Sequence, residues 1–436
     1  MAQLEKGSKK LLGAWAFYDW ANSVYSLVIA SAVFPIFYNK LIPETETVAV
    51  FSTSMKGSAL MSFVTAFAFL IVAFISPLLS GIADYAGNKK TFLKAFCYLG
   101  ALSCISLYWF NVTSLYFSLV CYLFGLVGFW GSLVFYNSYL PDVAFPHQQD
   151  AVSARGYSMG YIGSVILLVF NLAMIMYPGV FHIKEATPLL TAIQAMRYSF
   201  VSVGIWWIVF SQYTYYYLPA GTKKNKVTGD VLLNGFRELR KVWVQIKANP
   251  VLKRYLGAFF VYSMAVQTVM LVATYFGAEE VEWGDEDAKS KGLISSILII
   301  QLVAVIGAIL TSKLSAKIGN IKALIIINSI WAVICVCAYF VVLPIHFYIT
   351  AGFVGLVMGG VQSLSRSTYS KFLPETTDTA SYFSFYDVTE KIGIVIGMVL
   401  YGGIDLYFGS MRYSVVFLTL FFIIGAFLLG RVQKKH

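Results

Sequence analysis

Ionisable residues inside apolar segments are the first candidates for chemistry. Within the apolar stretch 383–408, Asp387, Glu390 and Lys391 span little more than one helical turn, and Asp387 and Lys391 share a helix face. Two carboxylates and one amine leave one negative charge unneutralised, and burial disfavours the ionised form of a carboxylate. A residue that carries protons needs this property. The alternative is a trio that stays ionised near a membrane interface.

Asp19 begins a second polar face, because Asn22, Ser23 and Ser26 follow it at helical spacing. Such a face does not point at lipid. Two interpretations remain open: a hydrogen-bond network that fastens neighbouring helices, or the lining of a solute cavity in which Asp19 couples transport to protons. Further cavity candidates are single polar residues of apolar segments: Tyr262, Gln267, Gln301, Gln362 and, nearer the cytoplasm, Arg366.

The composition shows which elements must position these residues. Of the 436 residues 58% are hydrophobic and 12% charged, whereas about 25% charged residues are usual in soluble proteins. The chain is therefore predicted to be an all-α integral membrane protein, with the lipid bilayer as a partner. Twelve segments approach the length of about 20 residues that crosses a bilayer: 11–41, 58–80, 91–111, 114–139, 153–178, 192–218, 253–277, 292–312, 321–343, 345–364, 383–408 and 412–430.

Two sequence signatures occur twice in the chain, at nearly equal separation. SGIADYAGNKK at Ser80 returns in degraded form as SKLSAKIGNIK at Ser312, and YLPD with Pro141 returns as FLPE with Pro374. Internal duplication is common in transporters whose halves rock about a shared site. We therefore predict two six-helix halves, 1–218 and 253–436, joined by a basic cytoplasmic linker, 219–252.

The distribution of charge orients the predicted spans. With the N-terminus inside, most of the 32 Lys and Arg residues fall on inner segments or at span ends, and Lys391 is the one cation more than two helical turns from either end of a span. Both termini are thus predicted to be cytoplasmic, in the cytoplasmic (inner) membrane if the host is bacterial. The linker is predicted to lie against anionic headgroups, which accounts for the net charge of +11 without a nucleic-acid partner. The first apolar stretch is too long for a cleaved leader and is expected to be a retained anchor.

Three motifs carry a family resemblance that covers essentially the whole chain. They are GAWAFYDWANSVYSLVI at Gly13, FYNSYLPDVA at Phe135 and VSARGYSMGYIG at Val152. The chain resembles the bacterial unknown major facilitator group of the major facilitator superfamily, which is related to fungal autophagy-related vacuolar amino-acid effluxers. In span seven it departs from many relatives, because Met264 and Ala265 stand where an acidic residue and a glycine precede the Gln-Thr pair. This departure puts a coupling role for that span in doubt.

The segment 80–90 is similar to the loop signature of this superfamily between helices two and three. Asp84, Gly87, Lys89 and Lys90 match it, while a serine and an asparagine replace its leading glycine and its arginine. The resemblance implies a conformational latch in which Asp84 approaches the N-terminus of helix eleven, around residues 381–384, where helix amides favour an anion. In the second copy Ala316 holds the aspartate position, so a one-sided latch is expected.

Other functional classes lack their motifs in this sequence. None of the four histidines pairs with an acid at a catalytic spacing, and neither a metal-ligand cluster, a cofactor motif nor a Walker motif is present. We therefore expect no enzyme, metal or cofactor, and a secondary transporter that moves a small polar solute, such as an amino acid, by alternating access, with protons as a candidate coupling ion. The alternatives are a non-transporting receptor or scaffold on the same fold and a membrane-embedded enzyme.

Overall fold

The computed structural model describes residues 4–42, 47–50, 53–221 and 231–432. Twelve helices in these ranges are long and apolar enough to cross a membrane. Six of them precede the linker helix and six follow it, as predicted. The exact boundaries of the halves and the linker stay predictions, and the KKNK part of the linker lies outside the described residues.

The first membrane crossing changes its helical geometry midway. It consists of α1 (Lys9–Val24), a wide π-helical stretch (Tyr25–Val33) and α2 (Phe34–Leu41). Pro35 explains part of this change, because it has no amide hydrogen to donate to the preceding turn. A short antiparallel hairpin, β1 (Thr47–Val50) and β2 (Thr53–Lys56), follows; the sequence analysis did not predict it.

The remaining helices follow in chain order. In the first half they are α3 (Gly57–Ala86), α4 (Lys89–Ser106), α5 (Leu115–Ser138), its short continuation α6 (Leu140–Val143), α7 (Pro146–Met176) and α8 (Pro188–Tyr217). The linker contains α9 (Val231–Ala248). The second half contains α10 (Pro250–Glu280), α11 (Glu286–Ile318), α12 (Asn320–Ala338), α13 (Pro344–Phe372), α14 (Thr379–Phe408) and α15 (Met411–Gly430).

The two membrane faces are named here by what they carry. The linker side is the face at which α1 begins, α15 ends and α9 lies; the far side carries the β hairpin. Hydrogen bonds tie the linker side together, from Lys90 Nζ to the carbonyl of Leu218 (2.7 Å) and from Tyr139 Oη to the carbonyl of Pro219 (3.0 Å). These bonds hold the chain that follows α8 against the start of α4 and the end of α5.

Each half has its own hydrophobic core. The first large cluster includes Trp15 and Trp207, and the second includes Trp331 and Phe422, all fully buried. Two buried members belong to the opposite half, Ala380 in the first cluster and Tyr161 in the second, so the cores meet at contacts between the halves. Those contacts are described with the site below.

The end of the tenth crossing differs from the prediction. The hydropathy pattern placed it at Leu364, whereas α13 continues to Phe372 and buries Arg366, which is only 1% exposed. The placement of Arg366 beyond the span was therefore wrong. Serine and threonine lower the hydropathy of this last part, but it packs against protein rather than lipid, where polar side chains find partners.

Candidate functional site

A buried ion pair joins the two halves. Arg366 on α13 lies with Nη2 at 3.2 Å from Oδ2 of Asp19 on α1, and both side chains are at most 5% exposed. The same oxygen accepts a hydrogen bond of 2.9 Å from Tyr136 Oη on α5. Asp19 is thus satisfied from its own half by Tyr136 and from the opposite half by Arg366.

Arg366 is held by the first half through its whole guanidinium group. Nε donates to Ser153 Oγ (2.9 Å), Nη1 to Asn137 Oδ1 (3.1 Å) and Nη2 to the carbonyl of Ser153 (3.0 Å). Its carbon Cζ lies 4.2 Å from the ring centre of Tyr157 and 4.8 Å from that of Trp15. A planar guanidinium suits this combination of hydrogen bonding and stacking, whereas the ammonium of a lysine does not.

Glycine on α7 makes room for this pair. A Cβ atom on Gly156 would lie 3.1 Å from Arg366 Nη2 and 3.2 Å from Tyr136 Oη. These distances are shorter than ordinary van der Waals contacts, so a side chain there would push the ion pair apart. The motif VSARGYSMGYIG thus has a packing reason for its first glycine.

The second charged cluster is the predicted trio on α14. Lys391 Nζ lies 3.0 Å from Asp387 Oδ1 and 3.2 Å from Glu390 Oε2, and its side chain is 1% exposed. Trp130 on α5 of the other half covers the amine, with the ring centre 3.5 Å from Nζ. Oδ2 of Asp387 is buried and has no hydrogen-bond partner among the described residues. The trio therefore carries one surplus carboxylate and one carboxylate oxygen that still needs a partner.

Separate side-chain contacts, one helical turn apart, lie between the two clusters. Tyr161 Oη donates to Gln362 Oε1 (2.6 Å), one helical turn from the buried arginine, and Gln362 Nε2 lies 3.3 Å from Met270 Sδ. One turn further along α10, Gln267 Nε2 donates to Glu390 Oε1 (2.7 Å). The predicted candidates Asp19, Gln267, Gln362, Arg366 and the trio thus lie along one stretch from the ion pair to α14.

Three predicted candidates lie apart from this set. Tyr262 Oη shares a hydrogen bond of 2.7 Å with Ser365 Oγ inside the second half. Asn22 is buried and bonds only its neighbour Ser23 (3.4 Å) among the described residues. Gln301 is half-buried on α11 and makes none of the contacts that lie between the two clusters.

Several contacting residues escaped the sequence reasoning. Asn137 and Tyr157 lie in motifs that the sequence analysis quoted, but neither motif assigns them to the pair. Tyr136 lies in one of these motifs as well, and Trp130 lies outside them in a chain of which 17% of the residues are aromatic. In such a chain, only the structure separates the aromatic residues that contact a buried charge from those that face lipid.

Asp84 makes the contact that the resemblance implied. Its Oδ2 accepts a hydrogen bond of 2.7 Å from the amide of Ser381 and its Oδ1 one of 3.2 Å from the amide of Ala380, both in the first turn of α14. The unpaired amides and the helix dipole favour a carboxylate at this position. Lys89 Nζ adds a hydrogen bond of 2.7 Å to Thr379 Oγ1.

The other latch residues serve the loop itself. Gly87 ends α3 with a φ of 66°, a left-handed conformation that glycine adopts without strain. Lys89 also forms an ion pair with Asp142 of α6, and Lys90 bonds the end of α8, as described above. Of the four predicted latch residues, Asp84 and Lys89 reach the second half.

A second contact between the halves, here called the Asp150 closure, lies at the related position of the other half. It is contrary to the expected one-sided latch. Asp150, in the first turns of α7, accepts hydrogen bonds from Lys371 Nζ (2.6 Å), Asn320 Nδ2 (2.9 Å) and Ser315 Oγ (3.1 Å). The prediction was wrong because it expected a carboxylate only in the loop, at the position that Ala316 holds. Here the carboxylate is on the helix and its donors surround the loop.

The linker helix α9 also contacts the second half on the linker side. Lys241 Nζ lies 2.9 Å from Asp378 Oδ2, just before α14, and this hydrogen bond raises the pKa of Lys241 above its usual value. Tyr382 Oη donates to Gln245 Oε1 (2.8 Å). The hydrogen bonds and ion pairs described here that join the halves therefore lie on the linker side and in the middle of the bundle.

Comparison with known proteins gives consistent matches along the chain. Residues 7–436 match the family described as vacuole effluxer Atg22 like. The chain is similar to the MFS-type transporter YxiO of Bacillus subtilis, with 30% identity over 428 residues that cover 97% of this chain and 94% of YxiO. It is also similar to autophagy-related protein 22-1 of Phaeosphaeria nodorum, with 22% identity, covering 97% of this chain and 90% of that protein.

Solved structures share the fold at low sequence identity. A single-residue variant of the fucose:proton symporter FucP of E. coli has a TM-score of 0.69 and 15% identity, covering 98% of both chains. The proton:xylose symporter XylE has a TM-score of 0.69 and 14% identity, covering 97% of this chain and 95% of its own. At these identities the likeness describes the arrangement of helices alone.

Proposed function

This chain belongs to the vacuole effluxer Atg22-like family and is a transporter of the major facilitator type, and we propose that it carries a small polar solute by alternating access, coupled to protons. The observation that carries the proposal is the polar site between the halves, where the ion pair of Asp19 and Arg366 adjoins a trio with one surplus carboxylate. Buried charges inside a membrane bundle mark solute and ion pathways.

The proposed direction of closure follows from the contacts between the halves. The Asp84 and Asp150 contacts and the buried ion pair hold the linker side shut, and their separation would open that side to the site. The excess of cations on this side supports its assignment to the cytoplasm, with both termini there. This structure then represents the state in which the cytoplasmic side is closed.

The proposed coupling uses the surplus carboxylate. Asp387 and Glu390 share the single amine of Lys391, and one oxygen of Asp387 is left without a partner among the described residues. Binding of a proton to either carboxylate would neutralise the trio, and a proton on Asp387 would remove the charge from the carboxylate whose Oδ2 lacks a donor in the described part of the chain. The change between the two states, in which the trio stays in a low-dielectric environment, then has a lower free-energy cost.

The proposed solute is zwitterionic, an amino acid being the simplest case. A guanidinium group binds carboxylates in a planar, two-point geometry, and the surplus carboxylate of the trio complements an ammonium group. The resemblance to amino-acid effluxers supports the same class. Binding of the solute carboxylate by Arg366 would replace Asp19 and thereby loosen the contact between the halves.

Flux measurements in proteoliposomes test the proposal. Purified protein is first screened by thermal shift against amino acids, peptides, sugars and nucleosides, and the solute that stabilises it is then followed under imposed pH gradients. We expect gradient-driven flux in the wild type and its loss of gradient dependence in Glu390→Gln or Asp19→Asn. Flux that ignores the gradient would refute proton coupling, and binding without flux would identify a receptor.

A further inference from the structure

Arg155 faces the outside of the bundle. It is exposed on α7, whereas its neighbour Gly156 faces the buried ion pair. The guanidinium lies over α1, where a Cβ on Gly13 would be 3.6 Å from Nη2. Among the residues that the structure describes, Arg155 has no ion pair, hydrogen bond or aromatic ring as a partner. Arg155 belongs neither to the ion pair and the trio nor to the Asp84 and Asp150 contacts.

The helix position of Arg155 beside Gly13 predicts a guanidinium near the level of lipid headgroups. Gly13 lies four residues after Lys9, where α1 begins on the linker side, and four residues correspond to about 6 Å along a helix. An arginine at this level extends its charged end toward the headgroup region. A phosphate group there would supply the acceptors that the protein does not.

A groove runs from Arg155 along the lipid-facing surface. It encloses about 410 Å³ between α1, α7 and α8, and Phe17, Met159, Phe210 and Tyr213 form most of its wall. Phe17 packs edge to face against Phe210 (5.9 Å between ring centres) and Tyr213 (5.1 Å), so the wall has a defined shape. An apolar groove of this kind suits an acyl chain.

A second cation lies beside the groove at its linker-side end. Lys10 is exposed, with Nζ 4.5 Å from the ring centre of Tyr217. That ring lies 5.1 Å from Tyr213, part of the groove wall. Two cations above one apolar groove complement a lipid whose headgroup carries net negative charge.

We propose that this groove binds an anionic phospholipid, with its phosphate held by Arg155 and Lys10 and one acyl chain along the aromatic wall. The site differs from the solute site because its groups face lipid rather than the other half. All three helices belong to the first half, so the lipid moves with that half and stays bound in both conformations.

Native mass spectrometry of delipidated protein tests the assignment. The probe is phosphatidylglycerol, compared with phosphatidylcholine of the same acyl chains, on the wild type, Arg155→Gln, Lys10→Gln and a control, Lys313→Gln. Lys313 is an exposed cation on α11, likewise near the linker side but away from the groove. We expect the wild type and the control to prefer phosphatidylglycerol, and each groove variant to bind it about fivefold more weakly, equivalent to about 1 kcal/mol per cation.

Melting temperatures measured with two added ligands test the same proposal. Added phosphatidylglycerol should raise the melting temperature of the wild type and the control more than that of Arg155→Gln, since a ligand stabilises the state that binds it. Glycerol phosphate, which has the headgroup chemistry without acyl chains, should have no such effect. Equal binding by Arg155→Gln and the control, no preference for the anionic lipid, or full stabilisation by glycerol phosphate would each overturn the proposal.

Discussion

Replacement of Asp19 by asparagine should open the linker side. The variant keeps the volume of the side chain and one oxygen acceptor but removes the negative charge that faces Arg366 at 3.2 Å. The arginine keeps its three hydrogen bonds to Ser153 and Asn137. The fold of each half should therefore survive, while the joint between the halves weakens.

The size of the effect follows from burial. Loss of one partner of a buried ion pair costs about 3–5 kcal/mol, and a hydrogen bond to a charged group contributes about 1.5–3 kcal/mol. Since asparagine retains an acceptor, we expect about 2 kcal/mol. The pair exists only when the halves meet on the linker side, so this loss falls on the closed state. The ratio of closed to open protein should fall about 30-fold.

Distances between spin labels measure this ratio. Labels on cysteines placed at His147 and Lys253, exposed linker-side positions of the two halves, would report opening in nanodiscs, in a variant without the five native cysteines. Tyr136→Phe is the matched control, because it removes a hydrogen bond to the same carboxylate from within one half. We expect longer distances for Asp19→Asn and little change for the control. Identical distributions for Asp19→Asn and the wild type would refute the role of the pair.

Three further variants test the closures and the trio. Asp84→Asn removes the charge at the N-terminus of α14, worth about 0.3–2 kcal/mol; solute flux should fall while the yield of monodisperse protein is kept, and equal loss of both would indicate a structural role. Asp150→Asn should also lower solute flux. Because the two residues share no contact, the opening that spin-label distances report for each variant should add in the double variant. A double variant no more open than either single variant would contradict two independent contacts. Trp130→Leu uncovers Lys391, and loss of about 1–2 kcal/mol of cation–π attraction should lower flux without lowering yield; unchanged flux would make Trp130 a packing residue.

Much of the architecture was readable from the sequence because it depends on local properties. Apolar length located all twelve crossings, and the resemblance of segment 80–90 to a superfamily signature implied that Asp84 reaches α14. The position of Arg366 was not readable in the same way. Its segment looks too polar for lipid, and only the packing of α13 against α7 shows that it is buried by protein.

The partners of the charges lay beyond sequence reasoning for a second reason. Asp19 and Arg366 come from opposite halves, and so do Trp130 and Lys391. Contacts of this kind depend on how the halves dock, which no periodicity or spacing within one segment encodes. The Asp150 closure shows the same limit, since duplication predicts where a related contact forms but not which side contributes the carboxylate.

Solute counterflow tests the central claim most directly. Proteoliposomes loaded with an excess of the unlabelled solute identified by thermal shift are diluted into a trace of the labelled solute, without any ion gradient. A carrier that exposes one site alternately to each side predicts a transient accumulation of label inside, above its equilibrium level, that Asp84→Asn reduces. Uptake that never exceeds equilibrium, or that does not depend on the solute inside, would contradict alternating access by this protein.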